Sequence, residues 1–384
     1  MCNLRVLIIV VFILIIIGCN PDAEYYPKPG HCGFIDKTGT FVIGPKFNNA
    51  LPFQEGLASV CVGLFGSGKW GFIDKTGQYV VKPKYNYARS FYNGYAVVQK
   101  GSKFGFIDKT GKNVFNKWFQ YAGYFSEGLA PVYINDKCGF INDRGDVVIQ
   151  QQYRSADSFS DGLALVMDAH NMIGYIDKSG KLVIPKKFGY ADSFSEGLAR
   201  VAKYEKASNS NGLLNEKWGF INKTGEFIIS PKYNGVERFS EGLAAVRIFN
   251  EKGSEICRYI DKNENIVIDQ QISFGGNFSE DLAWGYVRGK GFGYFDYKGN
   301  WIISPQFFEV KDFHDGLAAI NIGSIDTVGR WGFVDKQGTV IIKPQFGYVS
   351  DFQEGLAVAI TGSWKKRSDM DRCIPVTHKT LTLF

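Results

Sequence analysis

An internal repeat constrains this chain more than any other feature. A Gly-Phe-Ile-Asp-like segment occurs nine times, and a Gly-Leu-Ala-like segment follows each copy after a fixed step of 23 residues. The step from there to the next copy varies between 11 and 22 residues. Because every insertion falls in this one connection, we expect an exposed loop there and a rigid unit within the fixed step. The repeat begins at Gly33, Gly71, Gly105, Gly139, Gly174, Gly219, Arg258, Gly293 and Gly332.

Each repeat opens with the sequence of a β-hairpin. Asp-Lys-Thr-Gly, as at 74–77, fits a type I turn that closes through a left-handed glycine. The composition agrees, because 45 glycines, 32 phenylalanines and 20 tyrosines favour strands and tight turns over helices. In five repeats we expect the second strand to end at a proline, which lacks the ladder donor. These are Pro45, Pro83, Pro231, Pro305 and Pro344.

Two positions of the repeat never change. One holds only phenylalanine, at Phe53, Phe91, Phe125, Phe159, Phe194, Phe239, Phe278, Phe313 and Phe352. The other holds only alanine, at Ala58, Ala96, Ala130, Ala164, Ala199, Ala244, Ala283, Ala318 and Ala357. A ring beside a small residue indicates a core shared between repeats, since one unit of this size cannot bury its own aromatic residue.

Three copies carry the motif that gives the chain its family resemblance. Lys69-Trp70-Gly71-Phe72-Ile73-Asp74 and the segments at 217–222 and 330–335 resemble the WG-repeat family over residues 31–361. The resemblance implies a bacterial, often exported repeat protein and no particular activity. The tryptophan position holds Cys32, Phe104, Cys138, Ile173, Cys257 and Phe292 in the other copies. We therefore interpret it as an apolar plug.

These features predict an all-β fold, a tandem repeat of about nine antiparallel hairpin or meander units. The aromatic segment between the hairpin and Gly-Leu-Ala can add a short fourth strand. The units can form an open curved array or a closed, propeller-like ring. We favour the open array, because nine units exceed the roughly 4 to 8 blades usual for a propeller. A degraded tenth copy at Trp364 also favours an array that is cut short.

The N-terminus resembles a bacterial lipoprotein precursor. An apolar run from Val6 to Ile17 is too short for a membrane span of about 20 residues, and Gly18-Cys19 follows it as in a lipobox. This resemblance places lipid attachment on Cys19; an uncleaved N-terminal anchor is the alternative. The predicted organisation is a signal peptide at 1–18, a lipid-anchored tether at 19–30, nine repeats at 31–361 and an irregular tail at 362–384. We expect the protein in the cell envelope, on the periplasmic or cell-surface side.

Charged residues recur too often for catalysis. The turn acid is Asn142 or Asn222 in two copies, and an amide cannot act as a base. A second acidic position (Glu55, Glu127, Asp161, Glu196, Glu241, Glu280, Asp315, Glu354) is Asn93 in one copy. We interpret both as structural. We interpret the lysines beside the turn acids as a solvated edge.

No site for catalysis, a cofactor or a metal is predicted. Cys32, Cys138 and Cys257 share the plug position and lack metal spacing, and Cys61 and Cys373 can be free or paired. The four histidines form no motif. A net charge of +6 from 44 basic and 38 acidic residues is too small to predict nucleic-acid binding.

The predicted function is therefore a lipid-anchored binding or scaffolding surface for an unknown protein or polysaccharide, and not an enzyme. Two alternatives stay open. A glycan hydrolase would need carboxylates outside the recurrent positions that converge from separate repeats. A purely structural envelope protein would have no specific ligand.

Overall fold

The computed structural model describes residues 32–63, 67–206, 214–251, 253–323 and 329–361. Strands and turns account for the regular structure of these residues. None of them belongs to a helix that is long and apolar enough to cross a membrane. The N-terminal segment with Cys19, residues 207–213 and the predicted C-terminal tail lie outside the described residues.

The described strands form nine antiparallel sheets, which we call blades and number by the first short strand along the chain. Blade 1 contains β3 (Asn49–Ala50), β4 (Ala58–Val62), β5 (Lys69–Ile73) and β6 (Tyr79–Tyr85). Blade 2 contains β7 (Tyr87–Ala88), β8 (Ala96–Lys100) and β9 (Lys103–Ile107). Blade 3 contains β10 (Tyr121–Ala122), β11 (Leu129–Ile134), β12 (Lys137–Asn142) and β13 (Val147–Tyr153). Blade 4 contains β14 (Ser155–Ala156), β15 (Ala164–Met167), β16 (Ile173–Ile176) and β17 (Leu182–Phe188).

The later blades follow the same order. Blade 5 contains β18 (Tyr190–Ala191), β19 (Ala199–Lys206), β20 (Leu214–Ile221) and β21 (Phe227–Tyr233). Blade 6 contains β22 (Gly235–Val236), β23 (Ala244–Phe249), β24 (Glu255–Ile260) and β25 (Ile266–Ile272). Blade 7 contains β26 (Phe274–Gly275), β27 (Ala283–Val287), β28 (Gly291–Phe295) and β29 (Trp301–Phe307). Blade 8 contains β30 (Glu309–His314), β31 (Leu317–Asn321), β32 (Trp331–Asp335) and β33 (Val340–Phe346).

Blade 9 closes the ring. It combines β34 (Tyr348–Val349) and β35 (Ala357–Ile360) with β1 (Cys32–Ile35) and β2 (Phe41–Phe47), in the order β2-β1-β35-β34. Strand β1 pairs with β35 from Cys32↔Ile360 to Ile35↔Ala357. The all-β repeat fold is therefore confirmed in its closed, propeller-like form. The open array that we favoured does not form, because the last repeat leaves a sheet edge that the first hairpin completes.

The glycine of the repeat lies opposite a bulge. Trp70 pairs with Tyr85 and Phe72 with Val81, so two extra residues of β6 bulge opposite Gly71. A Cβ atom on Gly71 would lie 2.4 Å from the Val81 carbonyl oxygen. Pro83 lies within this bulge, where no ladder donor is needed, and β6 continues to Tyr85. The expectation that the second strand ends at proline was wrong for this reason.

Aromatic pairs join neighbouring blades. Phe72 of β5 packs against Phe91 of blade 2 with ring centroids 4.9 Å apart. Phe34 of β1 contacts Phe53 of blade 1 at 4.8 Å and so extends the same contact across the closure. The invariant phenylalanines are at most 2% exposed and the invariant alanines at most 1%. The core thus lies between blades, as the shared-core prediction requires. The plug residues, from Cys32 to Trp331, are all buried.

The short strands form the inner edge of the ring. Residues after or beside them contact the next blade: Arg200 Nη1, from the part of β19 that pairs with the β18 edge, donates to the carbonyl oxygen of Val236 at 2.7 Å, and Lys311 Nζ to that of Val349 at 2.9 Å. Adjacent blades are closest near the axis, so this edge is the inner one. We call it the hub: the first strand of each blade, the segment after it, such as 49–54, and the residues of the second strand that lie beside that segment, such as Arg200.

The two ends of the blades carry different connections. Ala58 pairs with Ile73, so the loops 54–57 and 74–77 lie at the same end of blade 1. We call this end of the ring the turn face. The insertions between Gly-Leu-Ala and the next repeat lie at the opposite end.

Candidate binding site at the hub

The second acidic position lies in a strained turn on the turn face. Gln54 and Leu57 exchange backbone hydrogen bonds of 2.9 and 3.2 Å around Glu55 and Gly56. The backbone angle φ is 54° at Glu55 and 84° at Gly56, which defines a two-residue type I′ loop. A left-handed conformation costs a residue with a Cβ roughly 1–2 kcal/mol. The repeated glutamate must therefore serve another purpose than turn formation.

The carboxylates of this position bind the next blade. Glu127 of blade 3 accepts a hydrogen bond of 3.1 Å from the Gly162 amide of blade 4, and Lys178 of blade 4 lies 3.0 Å away. Equivalent amide bonds reach Glu55, Asp161, Glu196, Glu241, Glu280, Asp315 and Glu354. Lys75, Lys109, Lys262 and Lys336 pair in the same way with an acid of the preceding blade. The structural interpretation of the acids agrees with these contacts. The lysines, which we expected to form only a solvated edge, also form ion pairs between neighbouring blades.

The turn acids cap the hairpins. Asp74 Oδ1 accepts hydrogen bonds from the backbone amides of Thr76 at 2.9 Å and Gln78 at 3.1 Å. The Thr76 hydroxyl also donates to it at 2.6 Å and lowers the pKa of Asp74. Asn142 accepts the same backbone bonds through its amide oxygen. This geometry supports the structural assignment.

A concave pocket of about 330 Å³ opens at the hub near the turn face. It spans blades 1 to 4. Its walls are Gln54, Ser90, Phe91, Tyr92, Tyr124, Ser126 and Ser158. Aromatic rings, hydroxyls and one amide, without a carboxylate, therefore converge on this pocket.

Departures from the repeat create the pocket. In blades 4 to 7 the position before the second acid is serine, and Ser160 Oγ donates to the Phe194 carbonyl of the next blade at 2.7 Å. Ser195, Ser240 and Ser279 make the same bond. Blades 1 and 2 hold Gln54 and Tyr92 there instead. These larger side chains line the pocket.

Two tyrosines form its aromatic wall. Tyr92 is 45% exposed, and its ring meets that of Tyr124 edge-on with centroids 6.0 Å apart. Ser158 Oγ donates to the Tyr124 carbonyl at 2.8 Å and fixes the backbone behind this ring. Arg89 is only 3% exposed, and its guanidinium carbon lies 5.1 Å from the Tyr124 centroid. A buried cation therefore adjoins the pocket.

The part of the hub in blades 4 to 6, which adjoins the pocket at Ser158, is acidic. Asp157, Asp192 and Glu237 occupy one position in blades 4, 5 and 6, and Arg200 forms ion pairs with Asp192 and Glu237. Asp157 is exposed to solvent within the hub, but the protein that surrounds it raises its pKa, and the charge of Asp192 adds to this shift. All three acids lie outside the recurrent acidic positions.

The cysteines of the described residues are free and buried. Burial raises the pKa of the Cys32, Cys138 and Cys257 thiols to about 12. Within the described ranges, no group of three His, Cys, Asp or Glu side chains could hold a metal ion. Cys19 and Cys373 lie outside those ranges.

The sequence interpretation missed the pocket. Gln54, Tyr92 and Tyr124 lie at positions that other repeats fill with different residues. This departure from the repeat was the one feature of the sequence that could have indicated the pocket. The positions are far apart in the chain, and only ring geometry brings them together.

The chain is distantly similar to solved structures, among them a BamB protein and the tricorn protease. The crystal structure of BamB from Moraxella catarrhalis is 10% identical, with a TM-score of 0.40 over 82% of this chain and 96% of that chain. The crystal structure of the tricorn protease is 10% identical, with a TM-score of 0.33 over 85% of this chain and 43% of that chain. No curated protein matches the sequence.

The family model named WG containing repeat matches nine segments that together cover most of the chain. They are residues 33–63, 70–104, 104–138, 139–168, 173–206, 218–252, 258–290, 292–324 and 331–362. Each segment supplies the outer strands of one blade and the first strands of the next, as 70–104 does for blades 1 and 2. The chain, a closed ring of β-blades, therefore belongs to the WG containing repeat family.

Proposed function

We propose that this protein is a lipid-anchored, non-enzymatic binding platform of the cell envelope, and that its hub pocket holds a saccharide unit of an envelope polysaccharide. The observation that carries this proposal is the combination of exposed Tyr92 with a hydroxyl- and amide-lined pocket. Pockets with an apolar wall and a few convergent polar groups are the usual form of a small-ligand site.

The chemistry of the walls suits a sugar. An aromatic ring covers the apolar C–H face of a pyranose, and Ser90, Ser126 and Gln54 offer donors and acceptors to its hydroxyls. The pocket is open to solvent, so a longer chain can extend from it over the turn face. A flat protein surface would not fill such a concavity, which favours a polysaccharide over a protein.

Binding should depend on Tyr92. We expect Tyr92→Ala to weaken binding of envelope oligosaccharides about tenfold in isothermal titration calorimetry, because the ring loses its contact with the sugar. Tyr79→Ala is the matched control, since Tyr79 is 41% exposed on the outer strand β6, away from the hub. Equal affinity of the two variants, or binding of envelope proteins but of no saccharide, would reject the proposal.

Lipid anchoring rests on the resemblance at Cys19. We expect the native chain to fractionate with membranes and to carry the mass of a lipid. Cys19→Ser should abolish that added mass and release the protein. An uncleaved chain that stays membrane-bound in the variant would replace the lipoprotein interpretation by an N-terminal anchor.

One observation favours a second candidate, glycan hydrolysis. Asp157 and Asp192 are acids from separate repeats, and the raised pKa of Asp157 is what a general acid requires. Release of reducing ends from envelope glycans, lost in Asp157→Asn, would support this candidate. Absence of release by a protein that binds the same glycan supports the non-enzymatic platform.

A further inference from the structure

We infer that the hub pocket selects an anionic ligand, a saccharide that carries a carboxylate. This inference rests on the proposed saccharide-binding function and adds the charge of the ligand. The geometry that points to it is a buried arginine whose neighbours are tyrosines, at a place where the ring of recurrent acids is interrupted.

The contacts of Arg89 leave its charge uncompensated. Its Nη2 donates to the Tyr121 hydroxyl at 2.9 Å, and its guanidinium lies 5.4 and 5.1 Å from the ring centroids of Tyr121 and Tyr124. Its Nε is buried and has no hydrogen-bond partner. Burial raises the pKa of Tyr87 and Tyr124, so these neighbours are neutral at physiological pH. None of the described salt bridges includes Arg89.

Other basic residues of the hub are neutralised. Arg200 forms ion pairs with Asp192 and Glu237. Lys311 Nζ lies 3.9 Å from the carboxylate of Asp351. Aromatic rings adjoin all three cations, but among the described salt bridges only Arg200 and Lys311 have an acidic partner. An unpaired buried cation is costly unless an anion approaches it.

The acids nearest the pocket do not cancel this charge. Blade 2 holds Asn93 in the acidic position, and its Nδ2 donates to the Phe125 carbonyl at 3.0 Å. On either side, Glu55 pairs with Lys109 at 3.4 Å and Glu127 with Lys178 at 3.0 Å. The recurrent acids beside the pocket are therefore compensated.

Asp157 also lies near the pocket, because its neighbour Ser158 is one of the lining residues. Asp157 occupies the position equivalent to Arg89, and its charge interacts with Asp192 of blade 5 and with Tyr133 and Cys138 of blade 3. Arg89 lies behind the pocket wall, with its guanidinium carbon 5.1 Å from the ring centroid of Tyr124, which lines the pocket. A carboxylate in the pocket would therefore meet the charge of Arg89 across the Tyr124 ring.

The test compares two ligands that share one saccharide backbone, of which one carries carboxylates and the other their neutral methyl esters. The full chain is titrated calorimetrically with a galacturonate trisaccharide and with its methyl ester. We expect the acid to bind at least tenfold more tightly than the ester. Arg89→Met should reduce this preference to less than threefold while binding of the ester is unchanged, and Arg89→Lys should retain the preference.

Two controls separate charge from folding. Lys311→Met removes one positive charge from a neutralised hub position and should leave the preference intact. Thermal melting of each variant identifies loss of fold, and Arg89→Lys keeps the inference testable if Arg89→Met does not fold. Equal binding of acid and ester to the native chain would overturn the anionic inference but leave saccharide binding in place.

An acidic peptide, oligoglutamate, separates the two proposals further. Binding of oligoglutamate without binding of either saccharide, sensitive to Arg89→Met, would retain the anionic pocket and overturn the saccharide function. Binding of none of the three probes at millimolar concentration would overturn both.

Discussion

Replacing Gly71 by alanine tests why eight of the nine repeats hold glycine at this position. The added Cβ would lie 2.4 Å from the Val81 carbonyl oxygen and 2.7 Å from the Pro83 nitrogen, whereas comfortable contacts between heavy atoms lie near 3.5–4.0 Å. Both atoms belong to the backbone of the bulge, and the flanking pairs of Phe72 and Trp70 hold that bulge in place. The backbone of β6 would therefore have to move by about 1 Å.

The expected cost follows from this displacement. Overpacking typically costs about 1–3 kcal/mol, and a clash with backbone belongs at the upper end. Gly44→Ala is the matched control, because a Cβ on this strand glycine meets nothing within 4 Å. Loss of backbone freedom in the unfolded chain should make Gly44→Ala neutral or more stable by roughly 0.4–1 kcal/mol. The two variants should thus differ by about 3 kcal/mol.

Urea unfolding followed by tryptophan fluorescence and circular dichroism measures this difference. Blade 6 shows how the reasoning could fail. Arg258 occupies the glycine position there, and its Nε donates to Asp269 at 2.6 Å, so that bulge accommodates a side chain. If the stabilities of Gly71→Ala and Gly44→Ala lie within about 0.5 kcal/mol of each other, the bulge of blade 1 accommodates a Cβ as easily as the bulge of blade 6 does. That result would refute the steric explanation.

Three further results are expected. Glu127→Gln keeps the strained turn but loses the charge that faces the next blade, so stability should fall by roughly 1 kcal/mol in urea unfolding, whereas Asp143→Asn, at an exposed turn, should have no effect. Asp157→Asn should raise the melting temperature at pH 7 and not at pH 3. The pKa of Asp157 is higher in the folded protein than its ordinary value of 3.8, so the protonated carboxyl favours the fold at pH values below 3.8. This contribution is lost as the pH rises through the folded-state pKa, and the uncharged Asn avoids that loss. Because burial raises the pKa of Cys138 to about 12, mass spectrometry should find this thiol unmodified by iodoacetamide at pH 8 in native protein and modified in urea; rapid labelling of native protein would contradict the burial argument.

Local features of the fold could be predicted from the sequence because their causes are local. Asp74 and Gly77 determine a hairpin whose hydrogen bonds span four residues. The invariant Phe91 and Ala96 indicated a shared core, and both are fully buried. Proline was harder to interpret, since Pro83 sits in a bulge that only the partner strand reveals.

Ring closure could not be predicted in the same way. It depends on the sum of nine small angles between blades, which side-chain packing at each interface sets. The contact of Phe34 with Phe53 looks like any other aromatic pair in sequence, yet it joins the last blade to the first. Repeat number and the degraded copy at Trp364 argued for an open array, and β1 pairing with β35 decided otherwise.

The sequence by itself determined the hairpins, the turn caps, the plug and the aromatic core, because each is encoded within one repeat or by the same residue in every repeat. The tertiary structure alone decided what neighbouring repeats do to one another. The partner of Glu127 is an amide in the next blade, and the neighbours of Arg89 are tyrosines of blade 3. Those pairings depend on distances across blade interfaces. The charge and shape of the hub pocket therefore emerge only when the ring is closed.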